Sequence, residues 1–323
     1  MRRAWLPTAL VAAMAVLAGC GGGTPAPAAE RAGAFPVTVT HGQGTATIPA
    51  APQRVVVLGL ADTQIAAALG APIVGATKNP SSADGAWLGV SPQVPADVRT
   101  LDSITPNIEA IAALRPDLIL MTSAQPSFSA AYAQIAAIAP TVSYRTALLQ
   151  DSGDDLARLI GQALGRPAEA DALIARSQDR LAQFKAAHPG LEGKGYAFGQ
   201  YAQGGTYLVI AQDGPTAKLF DAIGIRLPGP IAGLPVWQAG MAQVAAENLG
   251  VLDSADVAFI GVAGTAGERD FGAQPLVQDS NLLRSGRVDF LSYDESGLLL
   301  QPNPATTETV LGMIGPMLEK VPA

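Results

Sequence analysis

An α/β protein of two related lobes joined by one rigid helix is the architecture this sequence predicts, and three observations predict it. Residues 152–188 carry two successive helical patterns, long enough together to span a small domain. On either side, short apolar strands alternate with short helices. Each side also holds one similar segment, an acidic helix start followed by a buried strand. The first runs from Asn107-Ile108-Glu109-Ala110-Ile111 into Pro116-Asp117-Leu118-Ile119-Leu120. The second runs from Ala246-Glu247-Asn248-Leu249 into Ala255-Asp256-Val257-Ala258-Phe259-Ile260.

In the central stretch, Leu156, Leu159, Ile160, Ala163 and Leu164 recur at the spacing of one helix face. Gly165 supplies a stop and Pro167 a restart, because proline is tolerated in a helix's first turn. Leu173, Ile174, Leu181 and Phe184 form the stripe of the second helix, which Pro189-Gly190 ends. At about 1.5 Å per residue, residues 167–187 make a rod of roughly 30 Å.

Taken in order, residues 37–40 and 45–48 alternate in polarity around His41-Gly42-Gln43-Gly44, a hairpin signal. Strand 54–58 leads to helix 62–69, which Gly70 ends, and strand 72–76 opens into a loop over 77–97. Helix 106–114 precedes strand 117–121, and helix 130–137 precedes strand 141–144. This alternation predicts a parallel sheet covered on both faces. After the rod, strand 195–200 pairs with 207–210, and helix 215–223 is capped by Gly224. A helix is expected over 241–249, a strand over 257–262, a mobile loop over 263–273 and a strand over 288–291. Helix 306–320, interrupted near Pro316, closes the chain.

The 323 residues suffice for two lobes, and only 5% are aromatic, so each ring is worth tracking. Met1-Arg2-Arg3 followed by an apolar core over 9–18, too short to be a stable span, reads as a cleaved leader. The leader closes on Leu17-Ala18-Gly19-Cys20, which resembles a bacterial lipobox; Cys20 is the chain's only cysteine, so lipidation there leaves no disulfide. The expected organisation is a signal peptide over 1–19, a flexible tether over 20–34, lobes over 35–151 and 189–323, and the helical linker over 152–188. The formal net charge is −7, and loss of Arg2 and Arg3 leaves 18 basic against 27 acidic residues, or −9. An acidic chain without basic clusters excludes nucleic acid as a partner and leaves lipid as the only tie to the membrane.

Several segments resemble the lipoprotein-type binding components of iron-siderophore, haem and cobalamin ABC importers. They are Gln53-Arg54-Val55-Val56-Val57, Leu69-Gly70-Ala71-Pro72-Ile73-Val74-Gly75 and, most recognisably, residues 106–119, PNIEAIAALRPDLI. Residues 135–142 and 160–166 are similar to the family as well. The resemblance implies a class III periplasmic-binding-protein fold: two Rossmann-like lobes with central, mostly parallel sheets, one bridging helix, and a ligand held between the lobes. It implies a function of capture and handover, with no intrinsic cofactor and no catalysis, by a monomer outside the cytoplasmic membrane. The partners implied are an iron chelate and an ABC permease with its cytoplasmic ATPase. One glutamate per lobe docks on the permease in that family; Glu109 matches the first by motif and Glu247 the second by its place in the repeat. Haem and cobalamin stay open as ligands, and so does an envelope interaction lipoprotein that has lost ligand binding.

Ligands of two-lobed α/β proteins sit beyond the carboxyl ends of the strands. A ferric chelate calls for ring faces and for forked cations that grip anionic oxygens. Trp87 and Trp237 are the stacking candidates, and Arg145 and Arg269 the cationic ones. Lys78, Tyr201 and Tyr293 complete the expected cleft set, with Phe128 and Tyr144 in the same loops.

A bare transition metal finds no histidine- or cysteine-rich site, since only His41 and His188 are present beside Cys20. Enzyme signatures are missing too, with neither a Gly-x-Ser-x-Gly elbow nor a GxxxxGK(S/T) loop.

Overall fold

The computed structural model describes residues 35–78 and 87–322. The predicted leader, the tether and Cys20 lie outside the described residues, as do residues 79–86 of the 77–97 loop. The first elements are the expected hairpin, β1 (Val37–His41) and β2 (Gly44–Ile48), paired antiparallel. Its alternation turns Val39, Ala46 and Ile48 inward.

The first lobe continues with β3 (Val55–Val57), α1 (Leu60–Ala68), β4 (Ile73–Thr77), β5 (Arg99–Leu101) and α2 (Ile108–Ala113). Then come β6 (Leu118–Met121), α3 (Pro126–Ala130), α4 (Tyr132–Ala136) and β7 (Thr141–Ser143). Its sheet order is β5-β4-β3-β6-β7, and every pair is parallel. Helices on both faces bury β3 and β6 at every position, which is why those strands read as continuous apolar runs. Val55, Val57, Leu118 and Leu120 pack into the core under α1, whereas Val56, Ile119 and Met121 pack into the opposite one with Ile111 and Ile135.

The two helical patterns of 152–188 have different roles. Helix α5 (Gly153–Leu164) starts at Ser152, whose side chain accepts from the Asp155 amide, and ends at Gly165 with φ of 68°. That left-handed cap is where glycine is needed. The buried face of α5 lies wholly in the first lobe's core. Only α6 (Pro167–Ala187) bridges: Ala170, Leu173 and Ile174 belong to the first core, and Phe184 belongs to the second with Leu181 against it.

The second lobe contains β8 (Tyr196–Ala202), β9 (Gly205–Val209), α7 (Pro215–Ala222), α8 (Gly229–Ala232), β10 (Met241–Val244) and β11 (Val257–Gly261). It goes on through α9 (Gly264–Gly272), α10 (Pro275–Gln278), α11 (Asn281–Arg284), β12 (Val288–Leu291), α12 (Tyr293–Leu300) and α13 (Thr307–Leu318). The sheet order is β10-β9-β8-β11-β12; β8, β11 and β12 run parallel, and β9 runs antiparallel to both its neighbours.

Three expectations for this lobe are corrected. Residues 241–249 were expected as one helix but form β10 and the start of a 3-10 segment, Ala246–Ser254. Pairing with β9 overrides the helix propensity there, and Ala242 and Val244 alternate into the core. Residues 263–273, expected as a mobile loop, are largely helix α9, anchored by fully buried Phe271. Its glycines masked a periodicity that packing completes. Helix α12 also follows β12 where no helix was expected, started by a reciprocal Ser292–Glu295 capping box.

The lobes meet again where α12 hands over to α13. Asn303 donates from Nδ2 to Gln64 Oε1 of α1 at 2.7 Å, and Gln64 donates to the Leu88 carbonyl at 2.9 Å. Helix α13 lies along α6, tied by the Ser177–Thr307 hydroxyl pair at 2.6 Å and by Arg180 Nε to Glu308 at 2.8 Å.

The repeated segments have a shared structural cause. Asp117, just before β6, accepts from the amides of Gln53 and Arg54 at 2.7 and 2.8 Å, clamping the entry of β3. Asp256, just before β11, accepts from the Gly195 amide at 2.7 Å, clamping the entry of β8. Each aspartate thus sets the register of two central parallel strands. Asp117→Ala and Asp256→Ala should each lower unfolding free energy by about 1–3 kcal/mol through loss of charge-assisted bonds. Urea denaturation of each variant, with the denaturant slope unchanged, measures it.

Candidate functional site

The parallel strands of the first lobe all deliver their carboxyl ends to one place. Leu58 and Gly59 follow β3, Thr77 and Lys78 end β4, and Ser103 lies beyond β5. Ser123 and Gln125 follow β6, and Leu148 and Leu149 lie beyond β7. Opposite them stand Gln200 of β8, the 237–239 loop ahead of β10, and Tyr293, Asp294 and Leu300 of α12. Between these two walls lies a cavity of about 370 Å³, inside the roughly 300–1,000 Å³ usual for small-molecule sites.

The floor is built around Asp62, which is fully buried in the first turn of α1. Its carboxylate accepts from the backbone N–H and the hydroxyl of both Thr122 and Ser123, holding the β6 loop against the helix start. The approach is so close that a Cβ at Gly59 would overlap Ser123 Oγ and come within 2.5 Å of Asp62 Oδ2. Glycine is therefore required where β3 enters the cleft. Two further lining residues, Leu149 and Ala239, hold φ of 64° and 47°, conformations that non-glycine residues rarely adopt and that concentrate at binding sites.

Four of the predicted cleft residues line the cavity: Lys78, Trp87, Trp237 and Tyr293. Trp87 is held by Nε1 donating to the Thr77 carbonyl at 2.7 Å. Trp237 is 53% exposed and leans on Tyr207, with ring centroids 5.0 Å apart. Tyr293 donates to the Tyr201 carbonyl at 3.0 Å, and burial raises its phenol pKa, so it is present as the neutral donor. The remaining three line no part of the cavity. Arg145 is solvent-exposed, on a loop pinned by its amide donating to Asp151. Arg269 sits on α9 with its side chain 76% exposed, beside Asp270. Tyr201 packs its ring on Phe271, 5.6 Å between centroids, inside the second lobe. Phe128 is a core residue and Tyr144 packs against Gly42, so neither supplies a ring to the cleft.

Charges and rings at strand ends are what stand out in the sequence, whereas Gly59, Asp62, Ser103 and the glutamines are told apart only by their neighbours in the fold. Ser103 is 6% exposed, lines the cavity, and its hydroxyl has no hydrogen-bond partner. Among the described residues, Lys78 and Asp294 are the charged ones that line the cavity. Among the described residues no three His, Cys, Asp or Glu side chains gather as a metal site.

Glu109 and Glu247 lie one on each lobe, both exposed, in the first turn of α2 and of the 3-10 segment respectively. The Asn107 side chain caps α2 by accepting from the Ala110 amide at 2.8 Å.

The sequence pattern shared by periplasmic binding proteins matches residues 55–292, from β3 through the end of β12. The chain belongs to the periplasmic binding protein family. It is 28% identical over 225 residues to the Fe(3+) dicitrate-binding periplasmic protein FecB of Escherichia coli, covering 67% of this chain and 70% of that one. It is 33% identical over 175 residues to the probable siderophore-binding lipoprotein YfiY of Bacillus subtilis, covering 54% of this chain and 52% of that one. A crystal structure of a periplasmic solute-binding protein from Mycobacterium smegmatis superposes with a TM-score of 0.72 at 29% identity. That match covers 88% of this chain and 98% of the other.

Buried Asp62 yields a pH test. Burial raises its pKa and the Thr122 and Ser123 bonds only partly offset this, so the fold binds the proton more tightly than the unfolded chain. Its contribution is fully present below the unfolded value of about 4 and is lost as pH rises through the folded value. Urea midpoints measured across pH should therefore fall, from about pH 4 upward, relative to those of Asp62→Asn. Parallel curves for the two proteins would show that the group does not titrate abnormally.

Proposed function

We propose that this protein is a lipid-anchored, extracytoplasmic binding component of an ABC importer that captures a ferric siderophore between its lobes. The observation that carries the reading is the cavity itself, open between two walls and walled by strand ends, rings and amides. The names borne by FecB and YfiY, dicitrate-binding and siderophore-binding, point to the same class of cargo. The iron arrives already wrapped in its chelator, so the protein need supply no metal ligand. Lipid on Cys20 holds the protein at the outer face of the cytoplasmic membrane, and residues 20–34 tether it there. It acts as a monomer, handing its cargo to a permease powered by a cytoplasmic ATPase.

The docking groups are Glu109 and Glu247. Each is an exposed carboxylate at the favourable end of a helical turn, free to meet cationic side chains of a permease. One glutamate on each lobe means that docking reads the separation of the lobes, and so their closure.

Titration of the full chain in detergent micelles should show saturable tryptophan quenching by a ferric siderophore at micromolar or lower concentration. Trp87 and Trp237 both line the cavity and serve as the reporters. Silence toward every ferric siderophore from a folded protein, with a stable protein partner recovered, would instead favour an envelope interaction protein. A second expectation concerns delivery. Glu109→Ala combined with Glu247→Ala should abolish cellular uptake while leaving chelate affinity within about twofold, because exposed carboxylates outside the cavity lining contribute little to it. Loss of affinity in that double variant would place the glutamates in the binding site or the fold.

A further inference from the structure

We infer that the chelate this cleft accepts is an uncharged ferric trihydroxamate rather than an anionic ferric citrate or catecholate, an inference that rests on the siderophore reading above. The argument is electrostatic. Among the described residues that line the cavity, only Lys78 is cationic. No arginine of the described residues lines the cavity. Several are committed elsewhere: Arg54 donates to the Leu114 and Arg115 carbonyls, Arg180 pairs with Glu308, and Arg287 donates to the Asp256 carbonyl.

Ferric iron bound by three hydroxamates, each of which has lost one proton, carries no net charge. Three catecholates lose two protons each and leave a trianion, and the dicitrate complex is anionic as well. Moving an anion from water into a half-enclosed cleft is favourable only against compensating cations. One lysine does not compensate a trianion.

What the cleft offers instead suits a neutral ligand rich in carbonyl and hydroxamate oxygens. Gln125, Gln238 and Gln301 bring amide groups to the cavity, and Gln200 is oriented by donating to Ser296 Oγ at 2.8 Å. The decisive group is Ser103. Its buried hydroxyl has no partner among the described residues, and a polar group withdrawn from water is normally satisfied. A ligand oxygen in the cavity would satisfy it. The rest of the wall, with Trp87, Trp237 and the leucines at 148 and 149, is apolar and fits the hydrocarbon arms of such a chelate.

The test is calorimetric titration of the full chain in detergent micelles with ferrichrome, ferric enterobactin and ferric dicitrate as probes. Ferrichrome should bind at least about tenfold more tightly than either anion, and its affinity should change by less than about twofold between roughly 50 and 500 mM NaCl. Ser103→Ala should weaken ferrichrome about five- to tenfold without lowering the melting temperature, because it deletes a hydroxyl that is unpaired in the free protein. An anionic chelate binding as tightly as ferrichrome, or a steep salt dependence for ferrichrome itself, would overturn the charge argument while leaving the siderophore reading intact. Unchanged ferrichrome affinity in Ser103→Ala would overturn the role given to that hydroxyl. Binding of none of the three, or of haem or cobalamin in their place, would overturn the siderophore reading and this one with it.

Discussion

Helix α6 is a member of two hydrophobic cores at once, and the rest of the structure depends on that. Its first half contributes Ala170, Leu173 and Ile174 to the core beneath α1, and its last turn contributes Phe184 to the core of the second sheet. A helix 21 residues long cannot bend sharply without breaking its own hydrogen bonds, so it sets the distance between the lobes as a strut would. The cleft exists because burial at both ends of one rigid element holds two sheets apart. The second tie, from Asn303 to Gln64, is polar and local, a kind of contact that small rotations of the lobes can adjust without opening either core.

Within each lobe the same problem is solved with the same residue. An aspartate at the entry of the second central strand accepts amide protons from the entry of the first, in Asp117 and again in Asp256. The lobes diverge beyond that. The first sheet is entirely parallel, so its strands run toward the cleft, and residues at or beyond their carboxyl ends line it. In the second, antiparallel β9 interrupts the pattern, and the wall is completed by the 237–239 loop and by α12. The cleft therefore has one wall dictated by topology and one assembled from loops and a helix end.

This asymmetry explains how much could be read from residues alone. Lys78 and Trp87 line the cavity because they follow first-lobe strands, where the rule about carboxyl ends applies directly. Arg145 follows β7 in the same way, yet its amide is tied to Asp151 and its side chain faces solvent, an outcome that no spacing encodes. Arg269 lies outside the cavity lining for another reason: the glycine-rich stretch around it folds as a helix, which carries the guanidinium to the surface. Ser103 and Gly59 were passed over because a serine or a glycine at a strand end is common, and only its neighbours distinguish it.

By itself the sequence determined the two lobes, the bridging helix, the order of the buried strands and the capping and breaking residues between them. These depend on periodicity and on local backbone chemistry, which a linear chain displays. Tertiary structure alone decided that residues 241–244 are a strand, that α5 belongs to the first lobe, and that no arginine of the described residues lines the cleft. Each of those depends on which distant residues come to share a core or a wall. Strand pairing with β9, packing under α1, and the turning of arginines toward solvent or carbonyls are contacts between segments far apart in the chain, and they exist only once it has folded.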